Sequence, residues 1–283
     1  MARLNDVWLY GAVSSEPSIA RDINGNAVRG MFRLSVLRST RKSGEKTSTE
    51  NLVWDYPLIL SVDADIVNKM SKLKKFDIVE LSGSFVRAEI SKNKTCSHCG
   101  KINSIASTLY FVNPIFMAKR NSKDMTEYEA AAIVQDNREI SNHINVLGNL
   151  CNDVNYFESG NIRSSVYQIG TERKRFITAD NPTVRSDFFV VRTFGHNAKM
   201  DNLCIHKGSM VAIDGYLHFK KFGRKSKCVD CGEEFEWEDS TMEIVPYIIE
   251  YLANFTDPEE ATREKKKSEQ EEQGKMLKQL RGF

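Results

Sequence analysis

Four of the six cysteines stand in two CxxCG motifs, at residues 96–100 and 228–232. Two thiolates on one tight turn can bind a single metal ion, and the glycine that follows lets the backbone turn back on itself. A structural zinc ion takes four ligands, so each motif supplies half of a site. The spacing therefore predicts one zinc ion bound by four cysteines of a single chain, which are Cys96, Cys99, Cys228 and Cys231.

The two motifs also allow other arrangements. They can pair across a dimer, or each can recruit a nearby ligand that is not cysteine. They can also be ordinary turns or redox pairs, but a redox cysteine is activated at a helix N-terminus, and both motifs lie between predicted strands. Cys151 and Cys204 lie on apolar segments and are predicted to be buried free thiols in a reducing compartment.

Basic and aromatic side chains are interleaved around these motifs, and no acidic residue occurs between residues 216 and 229. Surfaces that bind single-stranded nucleic acid combine a cationic groove with aromatic faces, and stacking contributes ~1–3 kcal/mol per base. Charged loops are often only solvated, and each aromatic could instead belong to a core, so both interpretations stay open. The predicted nucleic-acid-binding residues are Trp8, Tyr10, Arg33, Arg38, Arg41, Lys42, Trp54, Tyr56, Arg87, Lys92, Lys94, Arg173, Lys174, Arg175, Phe188, Arg192, Phe194, Tyr216, His218, Lys220, Lys221, Phe222, Arg224, Lys225 and Lys227.

Catalytic chemistry has little support in the sequence. Asp55, Asp63 and Asp65 could serve a metal-dependent nuclease, but their spacing is better explained by a strand edge and a helix cap. The chain has no phosphate-binding loop, nucleophile elbow or HExxH motif. We therefore predict that the protein is not an enzyme.

The elements that would position these residues occur twice. The cysteine motifs are 132 residues apart, and so are Gly83 and Gly215, which end two similar apolar segments. Gly11 and Gly148 end a third pair of similar segments and are 137 residues apart, so the second copy is about five residues shorter in its early loops. Repeated signals in one order indicate an internal duplication.

Each copy is predicted to contain three strands, a short helix and two more strands, with a CxxCG hairpin between strands four and five. This is the order of an OB-fold barrel. The predicted fold is thus all-β with short helices, in two tandem OB-fold barrels. The predicted domains are residues 1–120, a linker helix within 121–140, a second barrel at 141–255 and a charged, partly helical tail at 256–283.

Residues 54–60, 74–77 and 78–83 resemble the bacterial-type single-stranded DNA-binding proteins, as do residues 187–191 and 207–215 of the second copy. The shared pattern is an aromatic-led third strand, a short helix, and an apolar strand that ends near an acid–glycine step. The chain departs from that family in its cysteine hairpins, its two barrels and the absence of an acidic C-terminal tip.

The resemblance implies an OB-fold protein that binds single-stranded DNA with little sequence preference, in replication, recombination or mobile-element transfer, and that can form a homodimer or higher oligomer. An RNA-binding subunit and a zinc-stapled protein scaffold are the alternatives. Phe283 matches the family's last residue, where a tip recruits protein partners. A small apolar patch at that end is either a partner-binding peptide or a frayed tail, and it comprises Met276, Leu277, Leu280 and Phe283.

Composition sets the outer bounds of these expectations. The chain has 283 residues and a formal net charge of only +2, with 41% hydrophobic residues, so a folded protein is expected. No run of roughly eighteen apolar residues is present and the N-terminus has no apolar leader, which predicts a cytoplasmic protein. Near-neutrality argues against a purely electrostatic nucleic-acid binder and shifts the expected affinity toward base stacking.

Overall fold

The computed structural model describes residues 4–39, 52–173 and 184–257, together with positions 259, 260, 263 and 267. Several predicted functional residues lie outside the described residues. They are Arg41, Lys42, Lys174, Arg175, Met276, Leu277, Leu280 and Phe283.

The first half of the chain forms a closed five-stranded barrel. Its strands pair in the ring β1–β3–β5–β7–β6–β1, in which β5 and β7 are parallel and the other neighbours antiparallel. The elements are β1 (Asn5–Val13), β2 (Ser18–Arg21), β3 (Ala27–Leu37), β4 (Trp54–Asp55), β5 (Leu58–Ser61), α1 (Ala64–Met70), β6 (Ile78–Thr95) and β7 (Ile102–Lys119). This ring, with a helix before its fourth principal strand, is the OB-fold.

The second half repeats the arrangement, with the ring β8–β10–β11–β13–β12–β8. Its elements follow the helices α2 (Glu127–Asp136) and α3 (Arg138–Ser141), and are β8 (Asn142–Leu150), β9 (Asn155–Ser159), β10 (Ile162–Glu172), β11 (Ser186–Phe194), α4 (Gly195–Cys204), β12 (Ile205–Lys227) and β13 (Glu234–Phe255). The predicted all-β fold of two OB barrels is confirmed. No helix among the described residues is long and apolar enough to span a membrane.

The two barrels share one continuous sheet. Strand β1 pairs with β8 in antiparallel register, with Val7 opposite Ile144 and Trp8 opposite His143. Val7, Leu9, Ile144 and Val146 are buried in one common core. Because equivalent strands pair antiparallel, the halves are related by an approximate twofold axis through this seam.

The repeated glycines Gly83 and Gly215 mark an irregularity in each barrel. The register of β6 against β7 shifts between Ser82 and Gly83, and that of β12 against β13 shifts between Asp214 and Gly215. A Cβ at Gly83 would lie 2.2 Å from the Asn113 carbonyl oxygen, and one at Gly215 would lie 2.5 Å from that of Val245. Only glycine lets the backbones approach this closely.

Helix α2 covers one end of the first barrel. A reciprocal capping box between Thr126 and Glu129 starts the helix. Its buried residues Ala130 and Val134 pack on Leu37, which is fully buried. Strand alternation predicts that Leu37 points out of the barrel. It does, but it is buried rather than exposed, because the linker helix covers the outer face at the end of β3.

Both cysteine hairpins are long. After the register shift at Gly83 the ladder between β6 and β7 runs without interruption to Thr95, and that between β12 and β13 runs from Gly215 to Lys227. The two hairpins therefore project beyond their barrels. We call residues 87–110 arm 1 and residues 219–242 arm 2.

Candidate nucleic-acid interface and cysteine cluster

Each arm is attached to the opposite barrel. A carboxylate oxygen of Asp187 in β11 accepts a hydrogen bond from the backbone N–H of Arg87 in arm 1, at 3.0 Å. Asp55 in β4 likewise accepts one from the backbone N–H of Phe219 in arm 2, at 2.9 Å. Asp55 and Asp187 are 132 residues apart, as are Arg87 and Phe219. The arms therefore cross, and the crossing follows the internal repeat.

Two arginines hold these aspartates in place. Arg173 donates two hydrogen bonds to Asp187, at 2.8 and 2.5 Å, and a third to the Arg87 carbonyl oxygen at 2.9 Å. Arg38 donates two to Asp55, at 2.7 and 3.1 Å. The Arg173 side chain is 6% exposed, so it has little surface left for a phosphate. Both arginines are predicted nucleic-acid contacts, and the structure places them in internal ion pairs.

The Asp55 carboxylate is also close to His218, whose Nδ1 lies 3.0 Å from Asp55 Oδ1. Burial opposes ionisation of Asp55, but hydrogen bonds from His218 and Arg38 outweigh it and lower the pKa of Asp55 below its usual value. Asp55 is fully buried, and Asp63 caps α1 by accepting from the Ile66 N–H. The interpretation of these acids as structural residues is confirmed.

A groove runs between the first barrel and the crossed arms, and six residues that carry its chemistry define it. We call it the arm groove. Its residues are Arg33, Tyr56, Lys92, Lys94, Phe219 and Lys221. Five of the six are predicted nucleic-acid contacts, which come from distant parts of the sequence. Glu238 and Asp239 line the same groove.

Phe219 is the central aromatic of the arm groove. The Arg33 guanidinium lies 4.7 Å from the centre of its ring. Tyr56, which is 37% exposed, meets the same ring edge-on, with centroids 6.2 Å apart and an interplanar angle of 81°. Phe219 is absent from the predicted set, although it lies among the basic and aromatic residues of the acid-free segment at 216–229.

The lysines of the arm groove lie beside acidic or aromatic groups. Lys92 Nζ is 2.5 Å from Asp239 Oδ1, and Lys221 Nζ is 3.0 Å from Glu238 Oε1. Lys94 Nζ lies 4.9 Å from the ring centre of Trp237. The groove thus offers aromatic faces and four cations, two of which a phosphate can reach only in competition with a carboxylate.

The twofold-related groove is less cationic. Phe188, which is 37% exposed, corresponds to Tyr56, and Arg87 corresponds to Phe219. Glu89 stands where the arm groove has Lys221, and it forms an ion pair with Arg87 at 3.3 Å. The equivalent of Lys92 is Arg224, which lies 3.4 Å from Asp239.

Other predicted contacts lie away from the arm groove. Trp8 is 42% exposed and packs on His143 across the seam, in a shallow depression that Tyr10 and Phe116 also line. Trp54 is half-buried against the α2 side of the barrel.

The remaining predicted residues are on the second barrel and arm 2. Arg192 forms an ion pair with Glu243 at 2.6 Å. The Tyr216 ring packs on Tyr247 and beneath Arg38. The exposed members of this group are Phe194, Lys220, Phe222, Lys225 and Lys227.

The four motif cysteines meet where the tips of the arms touch. All four sulfur atoms lie within 4.8 Å of one another, with 3.8 Å between Cys96 and Cys231 and 3.6 Å between Cys99 and Cys228. A tetrahedral zinc ion with Zn–S bonds of about 2.3 Å requires sulfurs about 3.8 Å apart. The cluster within one chain fits that requirement and could hold a metal ion. The described residues contain no other group of this kind.

The two cysteine turns have the same local geometry. Gly100 and Gly232 both have positive φ, at 72° and 75°, and their N–H groups donate to the carbonyl oxygens of Cys96 and Cys228. Asn103 links the turns, because its Nδ2 lies 3.4 Å from Cys228 Sγ and its Oδ1 accepts from the Val229 N–H.

Polar groups around Cys228 favour its thiolate. Hydrogen bonding from the backbone N–H of Cys231, with a further contribution from Asn103, lowers the pKa of Cys228 to about 6. Cysteine binds metal as the thiolate, and Cys228 is the thiol that ionises first, because burial and the neighbouring thiols raise the pKa of Cys99 and of Cys231.

Comparisons with known proteins agree with the fold. Residues 141–231 match the family model described as the Single-strand binding protein family. A deletion variant of the single-stranded DNA binding protein from Thermus aquaticus is similar in structure, with a TM-score of 0.59 and 16% identity, over 92% of this chain and 100% of that one. The wild-type protein has a TM-score of 0.56 and 14% identity, over 91% and 97%. No curated protein sequence matches this chain.

Proposed function

We propose that this protein binds single-stranded DNA without catalysis and with little sequence preference, and that the arm groove is its principal contact. The family match in the second barrel and the likeness of the whole chain to a DNA-binding protein support the class of function. The observation that carries the site is the convergence of Tyr56, Phe219 and four cations in one open groove.

The groove can act through stacking and phosphate contacts together. A base stacked on Tyr56 or Phe219 contributes ~1–3 kcal/mol regardless of its identity, because every base has a π-face. The guanidinium of Arg33 and the amines of Lys94 and Lys221 lie within the same groove and can follow the phosphates. Such a surface discriminates poorly between sequences, which suits coating or protection of a strand in replication, recombination or mobile-element transfer.

The test is the binding of a fluorescent, unstructured thymidine oligomer, measured by anisotropy at low and moderate salt. Tyr56→Ala should weaken binding about 5-fold to 150-fold, which is the equivalent of one stacked base. Tyr128→Ala, on an exposed face of α2, is the matched control and should bind normally. Failure of the unaltered protein to bind at low salt would refute the proposal.

An RNA oligomer of matched sequence, used as a competitor, separates DNA binding from RNA binding, since only the 2′-hydroxyl differs. Stronger competition by RNA would favour the ribonucleoprotein alternative. A protein that ignores both nucleic acids would favour the scaffold.

We propose that the ion in the cysteine cluster is zinc. Four thiolates in a closed tetrahedral set are typical of structural zinc, which needs no open coordination position. Metal analysis of the purified protein should give one zinc per chain. Two per chain would exclude the shared site, and a stable protein without metal would exclude zinc. Free thiolates of this kind persist in a reducing compartment, which supports a cytoplasmic location.

We also propose that the outer face of the seam associates with a second copy. Trp8, Phe116, Ile140 and Ile248 are exposed there, at 42–57%. Phe116 and Ile248 are related by the approximate twofold axis, so the face is roughly symmetric, and an isologous contact would bury the same apolar residues from each copy. Trp8→Glu should lower the molar mass that light scattering measures, and an unchanged mass would contradict this interface.

A further inference from the structure

We propose that the metal-bound cysteine cluster is a latch that assembles the arm groove, so that the binding of metal and the binding of single-stranded DNA are coupled. This inference rests on the proposed function and assigns a role to the metal within that same site. It predicts that the metal contributes to nucleic-acid affinity as well as to folding, although it lies at the arm tips.

Most of the arm groove belongs to the arms. Lys92 and Lys94 lie on arm 1, whereas Phe219 and Lys221 lie on arm 2. Only Arg33 and Tyr56 come from a barrel. The spacing of the arm 1 cations from those of arm 2 is therefore set by how the two arms are held together.

Each arm is attached to the opposite barrel at its base. Asp55 and Asp187 bind the backbone at Phe219 and Arg87, which are the first residues of the arms. From there, arm 1 continues for nine residues to Cys96, and arm 2 continues for nine residues to Cys228. The groove lysines lie on these distal stretches.

Besides the cysteines, the distal stretches are joined by polar contacts, among them Asn103 with the Val229 N–H, His98 with the Glu234 carbonyl oxygen and Lys92 with Asp239, but by little apolar packing. The apolar cluster between the arms consists of Cys96, Cys228, Phe235 and Trp237, with Ile105 packed against it. A core this small is commonly stabilised by a metal or a disulfide. Four thiols without a metal supply only weak S–H contacts between the arms, whereas one ion bonded to all four joins them.

A chain of contacts leads from the cluster to the groove. Trp237 packs in the cysteine cluster, and the Lys94 amine lies over its ring. Asp239 of arm 2 joins the same two arms, because it accepts hydrogen bonds from Lys92 and from the Ser107 hydroxyl at 3.2 Å. Opening the tips would therefore move Lys94 away from Phe219 and Lys221, whereas Lys92 keeps its own link to arm 2 through Asp239.

Coupling between two sites is reciprocal. If the bound ion raises the affinity for single-stranded DNA by some factor, bound DNA must raise the affinity for the ion by the same factor. The proposal thus has a readout that does not depend on measuring DNA affinity alone.

The experiment compares the zinc-loaded protein, the chelator-stripped protein, and the same protein reloaded with zinc, each against the thymidine oligomer. Stripping should weaken binding at least about tenfold, the loss of one stacked base or more, and reloading should restore it. In the converse measurement, saturating oligomer should slow zinc release to a coloured chelator.

A double variant, Cys99→Ser with Cys231→Ser, removes the two exposed ligands and keeps the buried pair, and it should behave like the stripped protein. Cys151→Ser, outside the cluster, is the matched control and should bind both zinc and oligomer normally. Loaded and stripped proteins that bind the oligomer equally well would overturn the latch and leave the proposed function intact. A loaded protein that does not bind at all would overturn the proposed function as well.

Discussion

The pair formed by Arg173 and Asp187 provides the sharpest test of the crossed arms. Asp187 is fully buried, Arg173 is 6% exposed, and the carboxylate accepts three hydrogen bonds, one of them from the Arg87 backbone in the other half of the chain. Asp187→Ala would leave a buried guanidinium without its counterion. Removing one partner of such a pair costs about 3–5 kcal/mol.

Part of that cost belongs to the arm rather than to the ion pair. A double variant, Arg173→Met with Asp187→Leu, removes both charges, which is often nearly neutral for a buried pair. It still leaves the N–H and the carbonyl oxygen of Arg87 without these partners. Each such group costs about 1–3 kcal/mol when fully buried, and both hydrogen bonds are only part-buried, so about 2 kcal/mol remains for the two together. The double variant should therefore recover roughly half of the stability lost in Asp187→Ala.

Urea unfolding of the zinc-loaded protein measures both values. Arg163→Ala is the matched control, because Arg163 forms an ion pair with Glu158 at 2.6 Å but both side chains are about 40% exposed. Exposed pairs contribute less than about 1 kcal/mol. If Asp187→Ala cost no more than this control, arm 1 would not be held by the second barrel as the structure describes.

Three further outcomes are expected. Burial raises the pKa of Asp201 from 3.8 to about 6. The folded state thus binds the proton more tightly than the unfolded chain, and the stability this adds is lost as the pH rises from about 4 through 6. The full effect is about 3 kcal/mol, of which about 1.4 kcal/mol falls between pH 5 and pH 8. Asp201→Asn should remove that difference, and unfolding at the two pH values measures it. Gly83→Ala should cost about 1–3 kcal/mol because its Cβ meets backbone atoms, whereas Gly223→Ala, with open space around it, should be nearly neutral in the same assay. Lys221→Ala should reduce the slope of log K against log salt by about 0.7, as expected for one phosphate contact on a single strand, and an unchanged slope would place the phosphates elsewhere.

The sequence predicts the barrels well because their signals are local and repeated. Alternating apolar residues identify β1, β3 and β8. Gly83 and Gly215 are conspicuous in the sequence for a reason the structure supplies, since each stands at a register shift where a side chain would meet backbone. Each cysteine motif ends in a glycine, which predicts a tight turn, and both glycines have positive φ in the structure.

The site is harder to predict because its contacts join distant segments. Nothing near Asp55 in sequence indicates that its carboxylate accepts a hydrogen bond from the N–H of Phe219, 164 residues away. The same limit applies to Arg38 and Arg173, which have the composition of phosphate-binding residues but lie in internal ion pairs. Trp54 and Leu37 are covered by α2, and strand alternation alone cannot locate the linker helix.

Internal duplication explains why a symmetrical scaffold carries an unsymmetrical surface. Two identical subunits would present identical grooves, whereas two halves of one chain can change separately. The scaffold here has kept its symmetry, with Asp55 and Asp187 in equivalent roles and one cysteine pair from each half. The grooves have diverged, because Lys221 in one corresponds to Glu89 in the other. A net charge of +2 is therefore compatible with a cationic groove. On the proposed function, single-stranded DNA should bind to the arm groove in preference to its twofold-related counterpart.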